Sequence, residues 1–260
     1  MLLCPVRGCR LPLVRPQGEN VPRLCCASGH SFDIARSGYI NLLQPQDRRS
    51  KRPGDTPAAV QARRRLHDLG VTQPLLDAIA QFLEPSPGET VLDAGCGDGF
   101  YLGSLASRYG FAAHGVDISI PAVDAAARRY PGNEWIVANA DRFLPYAGGS
   151  FSLLLSITAR MNAAEFRRVL CEDGRLLVAL PATDDMIELR GAGRDRVART
   201  IETFAHAFTL VERRRATTSA DLDASAVRDV LLSIYRPLRS QPVEAMRVTF
   251  SLDLLLFRPL

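Results

Sequence analysis

An apolar run that ends in an acid, Val91-Leu92-Asp93, leads directly into Ala94-Gly95-Cys96-Gly97-Asp98-Gly99. A helix-like segment follows from Phe100 to Tyr109. A second apolar run, Ala112 to Val116, then ends in Asp117. Strand, glycine-rich turn, helix, strand and acid in this register hold a nucleotide-type ligand at the carboxyl end of a parallel sheet. Glycines let the backbone come close to the ligand. A carboxylate at the end of the second strand can accept from two ribose hydroxyls. The glycine spacing departs from G-x-G-x-x-G, and Asp93 and Asp98 flank the turn. Two carboxylates would repel a pyrophosphate and suit a ligand that carries positive charge.

The D-x-G-x-G-x-G string resembles the first motif of class I methyltransferases, and Asp117 resembles their ribose-binding acid. The cationic ligand is then S-adenosylmethionine, with Asp93, Gly95, Gly97, Asp98, Gly99 and Asp117 around it and Ile118 and Asn139 toward its adenine.

A second constellation lies near the N-terminus. Cys4 and Cys9 are followed, after a short polar stretch, by Cys25, Cys26 and His30. Two ligand pairs across a hairpin-length loop are the layout of a structural zinc knuckle. Cys25 and Cys26 both stand at a permitted distance from His30. Three thiolates and one imidazole leave no open position, so the metal would be structural. The module is too small to fold on its own core, and zinc would supply most of its stability. Phe32 to Leu43 reads as a short strand or turn that packs the knuckle onto the rest of the chain.

These chemistries need a scaffold. Of the 260 residues, 47% are hydrophobic, enough for one sizeable core plus a small module. No apolar run is long enough to cross a bilayer, so no membrane partner is expected, and Met1-Leu2-Leu3-Cys4-Pro5 lacks a signal-peptide pattern. Four of six cysteines cluster in the first thirty residues, which points to a metal in a reducing cytoplasm rather than disulfides. The net charge is +4. Arginines group at Arg48-Arg49-Ser50-Lys51-Arg52, Arg63-Arg64-Arg65 and Arg213-Arg214-Arg215. Guanidinium forks match phosphate. The first group is read as an RNA contact and the others as solvated surface.

The polar stretch Gln44 to Thr56 reads as a basic linker between a module over residues 1–43 and a catalytic domain over residues 57–260. Asp55 or Thr56 can cap a helix that starts near Pro57 and stops at Gly70. A second helix follows Pro74. Alternating strands and helices from Thr90 predict an α/β Rossmann-like fold, a mixed seven-stranded sheet closed by Met246 to Phe257 against Phe208 to Glu212.

The chain as a whole resembles the large-subunit (23S) ribosomal RNA guanine-N1-methyltransferases, the RlmA-like enzymes, among them macrolide-resistance methyltransferases. The strings that carry the likeness are Cys26-x-x-x-His30-Ser31-Phe32-Asp33-Ile34-Ala35-Arg36, Gly38-Tyr39-Ile40-Asn41-Leu42-Leu43, Pro53-Gly54-Asp55, Gln61-Ala62-Arg63-Arg64 and Ala126-Ala127-Arg128-Arg129-Tyr130-Pro131. The resemblance implies zinc on Cys4, Cys9, Cys26 and His30, with Cys25 a buried thiol or alternate ligand. It also implies a ribosomal RNA hairpin as partner and a homodimer.

Four positions depart from the family pattern. Its C-P-x-C is C-x4-C here, and its Gly-His-Tyr is Gly70-Val71-Thr72, which puts Thr72 where an aromatic meets the cofactor. Its histidine after the fifth strand is Asp185, and its proline after the fourth is Arg160. Asp185 is thus read at a cofactor position. Arg160 and Asp185 are the candidates for handling the guanine N1 proton or the charge that develops on O6. His67, His114 and His206 are read as surface or helix-face residues. Two other readings stay open: a class I methyltransferase with a different substrate, and a non-catalytic RNA-binding relative.

Overall fold

The computed structural model describes residues 1–16, 21–47, 53–234 and 243–260. Strands β1 (Arg23–Cys25) and β2 (Ser31–Asp33) form an antiparallel ribbon; β3 (Ile40–Asn41) and a 3-10 turn (Pro45–Asp47) follow. Then come α1 (Pro57–Asp68), α2 (Gln73–Leu83), β4 (Thr90–Ala94), α3 (Phe100–Tyr109), β5 (Ala112–Asp117), α4 (Ile120–Arg129) and β6 (Glu134–Val137). The chain continues through β7 (Phe151–Ile157), α5 (Ala163–Val169), β8 (Leu170–Pro181), α6 (Ile187–Arg190), α7 (Val197–Phe204), β9 (Phe208–Leu222), α8 (Ala224–Ser233) and β10 (Met246–Pro259).

Helix starts follow local chemistry. Thr56, Ser119, Asn162 and Asp223 each accept a backbone N–H from the first turn of α1, α4, α5 and α8. Between Thr56 and Asp55, the threonine is the cap.

The sheet order is β3-β6-β5-β4-β7-β8-β10-β9. Neighbours from β3 to β8 are parallel, and β10 runs antiparallel to both β8 and β9. The seven strands expected from the α/β part are β4 to β10. The eighth, β3, comes from the N-terminal module and pairs Ile40 with Ile136 and Asn41 with Val137. β9 is longer than the sequence suggested, because its whole length pairs with β10.

Alternate strand residues bury opposite faces. Val91, Leu153, Leu155 and Leu177 pack with Leu76, Ile79, Leu102 and Val227 from α2, α3 and α8. Leu92, Leu154, Leu176 and Val178 pack with Phe166 of α5, Phe204 of α7 and the module's Leu2, Leu13, Leu24 and Leu42. The module therefore shares a core with the sheet. Leu2 bridges Tyr146, and the Leu3 N–H donates to the Pro145 carbonyl at 2.9 Å. Among the described residues no helix is long and apolar enough to cross a membrane.

Candidate metal centre and cofactor site

The ligand atoms of Cys4, Cys9, Cys26 and His30 all lie within 4.8 Å of one another. Cys4 Sγ is 3.5 Å from His30 Nδ1, Cys26 Sγ is 3.3 Å from the same nitrogen, and Cys9 Sγ is 3.7 Å from Cys26 Sγ. A tetrahedral zinc with ligand bonds near ~2.3 Å has sulfur–sulfur edges of about 3.8 Å, so the four atoms fit one ion. Tight turns bring them there: the Cys9 N–H donates to the Val6 carbonyl, and the Cys26 N–H to the His30 carbonyl. Burial pushes the Cys4 thiol up to about 12, so a thiolate at that depth calls for a cation beside it. The expectation of a buried Cys25 is corrected. This thiol is half-buried and points away from the cluster, donating to Ser31 Oγ at 3.5 Å.

The second site lies at the carboxyl ends of β4 and β5, where the strand order reverses between β5 and β7. Gly95, Gly97 and Gly99 carry φ of 98°, 55° and 76°. Gly99 is also held by close approach, since a Cβ there would stand 2.6 Å from the Trp135 ring and 2.8 Å from Ala126 Cβ. Asp117 Oδ2 accepts the Gly97 N–H at 3.0 Å and Oδ1 accepts the Ser119 N–H at 2.8 Å. These bonds fix the carboxylate plane and leave each oxygen a further acceptor site. Asp93 and Asp98 are buried, and Asp93 Oδ1 and Asp98 Oδ2 have no hydrogen-bond partner among the described residues. Burial, with Asp117 adding repulsion, pushes the Asp93 carboxyl up to about 8. Burial also presses on Asp98, but His67, Arg63 and Arg129 hold its carboxyl below the ordinary range. Buried carboxylate oxygens without donors suit a cationic ligand such as S-adenosylmethionine.

Ile118 is half-buried against the core. The Asn139 side chain is committed within the chain: Nδ2 donates to the Asp47 carbonyl at 2.9 Å, and Oδ1 accepts the Asp141 N–H at 3.1 Å. Its amide thus ties the 45–47 turn over the end of β6. Thr72 meets His67, with Oγ1 at 2.6 Å from Nδ1. His67, read as a surface or helix-face residue, lies on the buried face of α1. Its ring stacks on Phe100 at 3.8 Å and 3°, and Nε2 stands 3.7 Å from Asp98 Oδ1. The sequence held one signal for it, a histidine one helical turn past Arg63. His114 pairs with Glu134 across β5 and β6 at 2.8 Å, and His206 is exposed.

Asp185 is buried in a bridge of the fold. Its Oδ1 accepts the Ser251 N–H at 3.0 Å, and Oδ2 pairs with Arg190. Arg160 is exposed after β7, with Nη1 3.4 Å from Asp141 Oδ2. The Arg48 to Arg52 group lies outside the described residues. The other arginine groups are not merely solvated. Arg63 pairs with Asp55, Arg65 with Asp229, and Arg213 and Arg215 with the buried Asp253.

Comparison with known proteins covers both sites. A family described as methyltransferase domain matches residues 91–178, and one described as RlmA, N-terminal, matches residues 2–51. A 23S rRNA (guanine(748)-N(1))-methyltransferase of Streptomyces fradiae is 35% identical over 87% of this chain and 84% of its own length. A Bacillus subtilis chain named for the same class of reaction, YxjB, is 34% identical over 73% of this chain and 67% of its own. Among solved structures, a chain of the complex between the Haloferax volcanii Trm112 methyltransferase activator and its methyltransferase shares the fold. It has a TM-score of 0.54 and 19% identity over 79% of this chain and 98% of that one. With its zinc-ribbon ligands assembled and its relatives similar across both the ribbon and the methyltransferase domain, the chain belongs to the RlmA-like family of 23S rRNA guanine-N1-methyltransferases.

Proposed function

We propose that this chain transfers a methyl group from S-adenosylmethionine to N1 of a guanine in a hairpin of large-subunit ribosomal RNA. The observation that carries this reading is the joining of the zinc ribbon, through β3 and a shared core, to the sheet that holds the acid-lined turn, with relatives similar across both parts. When bound, the cofactor supplies an electrophilic methyl carbon on its sulfonium. Asp93 and Asp98 hold its cationic end, Asp117 its ribose, and Ile118 flanks its base, while Asn139 shapes that side through the 45–47 turn. The residues then act by positioning and charge. A loop guanine leaves its stack at a cost of roughly a few kcal/mol. Its N1 proton must depart as the bond forms. Arg160, exposed beyond β7, is the residue to test for stabilising charge on O6. The resemblance alone supports a homodimer, which sedimentation reads directly.

The test joins calorimetry with S-adenosylmethionine to incubation of the protein, cofactor and unmodified 23S rRNA, followed by reverse transcription. Methylation at guanine N1 removes a Watson–Crick donor and stops the polymerase, so a new stop is expected within one hairpin loop. Saturable cofactor binding with no stop on structured ribosomal RNA would favour a different substrate. RNA binding without cofactor binding would favour the non-catalytic relative.

A further inference from the structure

Helix α1 turns two nitrogen-bearing side chains toward the glycine-rich turn. Arg63 and His67 are four residues apart and share one helix face. His67 faces Asp98. Arg63 Nη1 lies over Gly97, 3.5 Å from where a Cβ on that residue would sit. Two groups aim the guanidinium: Nη1 donates to Asp55 Oδ2 at 2.6 Å and Nη2 to the Ser233 carbonyl at 3.0 Å. A guanidinium has five N–H donors, so the fork keeps donors to offer.

Asp55 is itself fixed. Gly54 has φ of 83°, and a Cβ there would stand 2.5 Å from Ser119 Cβ, so only glycine lets the chain pass so close. Ser119 Oγ then donates to the Asp55 carbonyl at 2.9 Å. Ser119 also caps α4 and follows Asp117, the acid that grips the Gly97 N–H. The Pro53-Gly54-Asp55 string thus delivers one cation to a place walled by Asp98 and Asp117.

Acids alone do not satisfy the ligand proposed above. Its amino-acid end bears an ammonium, but the same carbon bears a carboxylate, which Asp93, Asp98 and Asp117 would repel. A planar fork beside the turn meets that carboxylate with paired charge-assisted bonds. We infer that Arg63 recognises the carboxylate of the cofactor's methionine end, with Asp55 as the residue that orients it. The inference rests on the S-adenosylmethionine reading and deepens it.

Decarboxylated S-adenosylmethionine tests it, because that compound keeps the sulfonium and the amine and lacks only the carboxylate. Calorimetry on the full-length, zinc-loaded protein should show the intact cofactor bound at least about ten-fold more tightly than the decarboxylated one. In Arg63→Gln the two should bind alike. Arg63→Lys should keep part of the preference, since a point charge attracts but does not fork, and Asp55→Asn should blunt it. Unchanged melting of each free variant separates these effects from misfolding, and the wild-type preference needs no variant at all. Equal wild-type affinity for both ligands overturns the inference while leaving the cofactor reading intact. So does a loss in Arg63→Gln that is the same for both ligands, which would make Arg63 a charge-balancing strut. Failure of the wild type to bind either ligand overturns both readings together.

Discussion

The ribbon and the glycine-rich turn both gather groups that seek a cation, and they do so in opposite ways. The ribbon draws three thiols and an imidazole from within thirty residues into one closed shell, with all ligand atoms within 4.8 Å. The turn gathers Asp93, Asp98 and Asp117 more loosely, and leaves an oxygen on each of the first two with no partner among the described residues. A closed set of soft ligands is filled once and then holds the fold. An open set of hard acids stays available to a ligand that comes and goes. Arg63 and His67, from a helix far upstream in the chain, reinforce the difference, for they bring a guanidinium and an imidazole to the open site.

The largest effect should come from breaking the closed shell. Cys4→Ser, or a strong chelator, should unfold the ribbon and expose residues 1–43 to protease, because bound zinc supplies of order 10 kcal/mol in such modules. The loss should reach the catalytic domain, since Leu2, Leu13, Leu24 and Leu42 share its core. Melting followed with limited proteolysis reads both. Cys25→Ser should melt as wild type does, and an equal loss there would overturn the ligand set.

The open site should respond in binding rather than in folding. Asp98→Asn should weaken S-adenosylmethionine binding by about ten-fold or more, through loss of a charge-assisted partner worth roughly 1.5–3 kcal/mol. Asp93 adds a dependence on pH. Its carboxyl is raised from 3.8 to about 8, so the folded protein holds a proton there that the unfolded chain has lost. Its contribution to stability therefore falls as pH rises through that window. A cationic ligand favours the ionised form, so binding should release a proton near pH 7 and tighten toward pH 8. Calorimetry in buffers of different ionisation enthalpy measures that release; a buffer-independent enthalpy would remove Asp93 from the cationic end.

Smaller effects sharpen the boundary of the open site. Asp185→Asn should cost about 1–3 kcal/mol of stability through its bonds to Arg190 and Ser251, with cofactor affinity nearly unchanged. His67→Phe preserves the stack on Phe100 but drops Thr72 and frees Asp98, and should lower cofactor affinity by a few-fold. Arg160→Ala should leave melting unchanged, so any fall in the single-turnover methylation rate would assign Arg160 to chemistry.

Residue spacing alone determined much of this protein. Strand, turn and acid at Val91 to Asp117 read correctly because backbone conformation there depends on glycines and hydrophobic period within a few residues. Cys4, Cys9 and His30 were readable for the same reason, as knuckle spacings are local, whereas the choice of Cys26 came only from the family resemblance. Tertiary structure decided what depended on distance. It separated Cys26 from the adjacent Cys25, whose spacing to His30 differs by one residue but whose side chain leaves on the other side of the ribbon. It bound Asn139 to the 45–47 turn and Asp185 to β10. It made β3 an eighth strand, because a two-residue strand carries almost no pattern until a sheet edge accepts it. It brought Asp55, Arg63 and His67 to a turn thirty to forty residues further along the chain. A guanidinium or imidazole in a helix reads as solvated surface until the packing of α1 against α4 and α8 shows which face is turned inward.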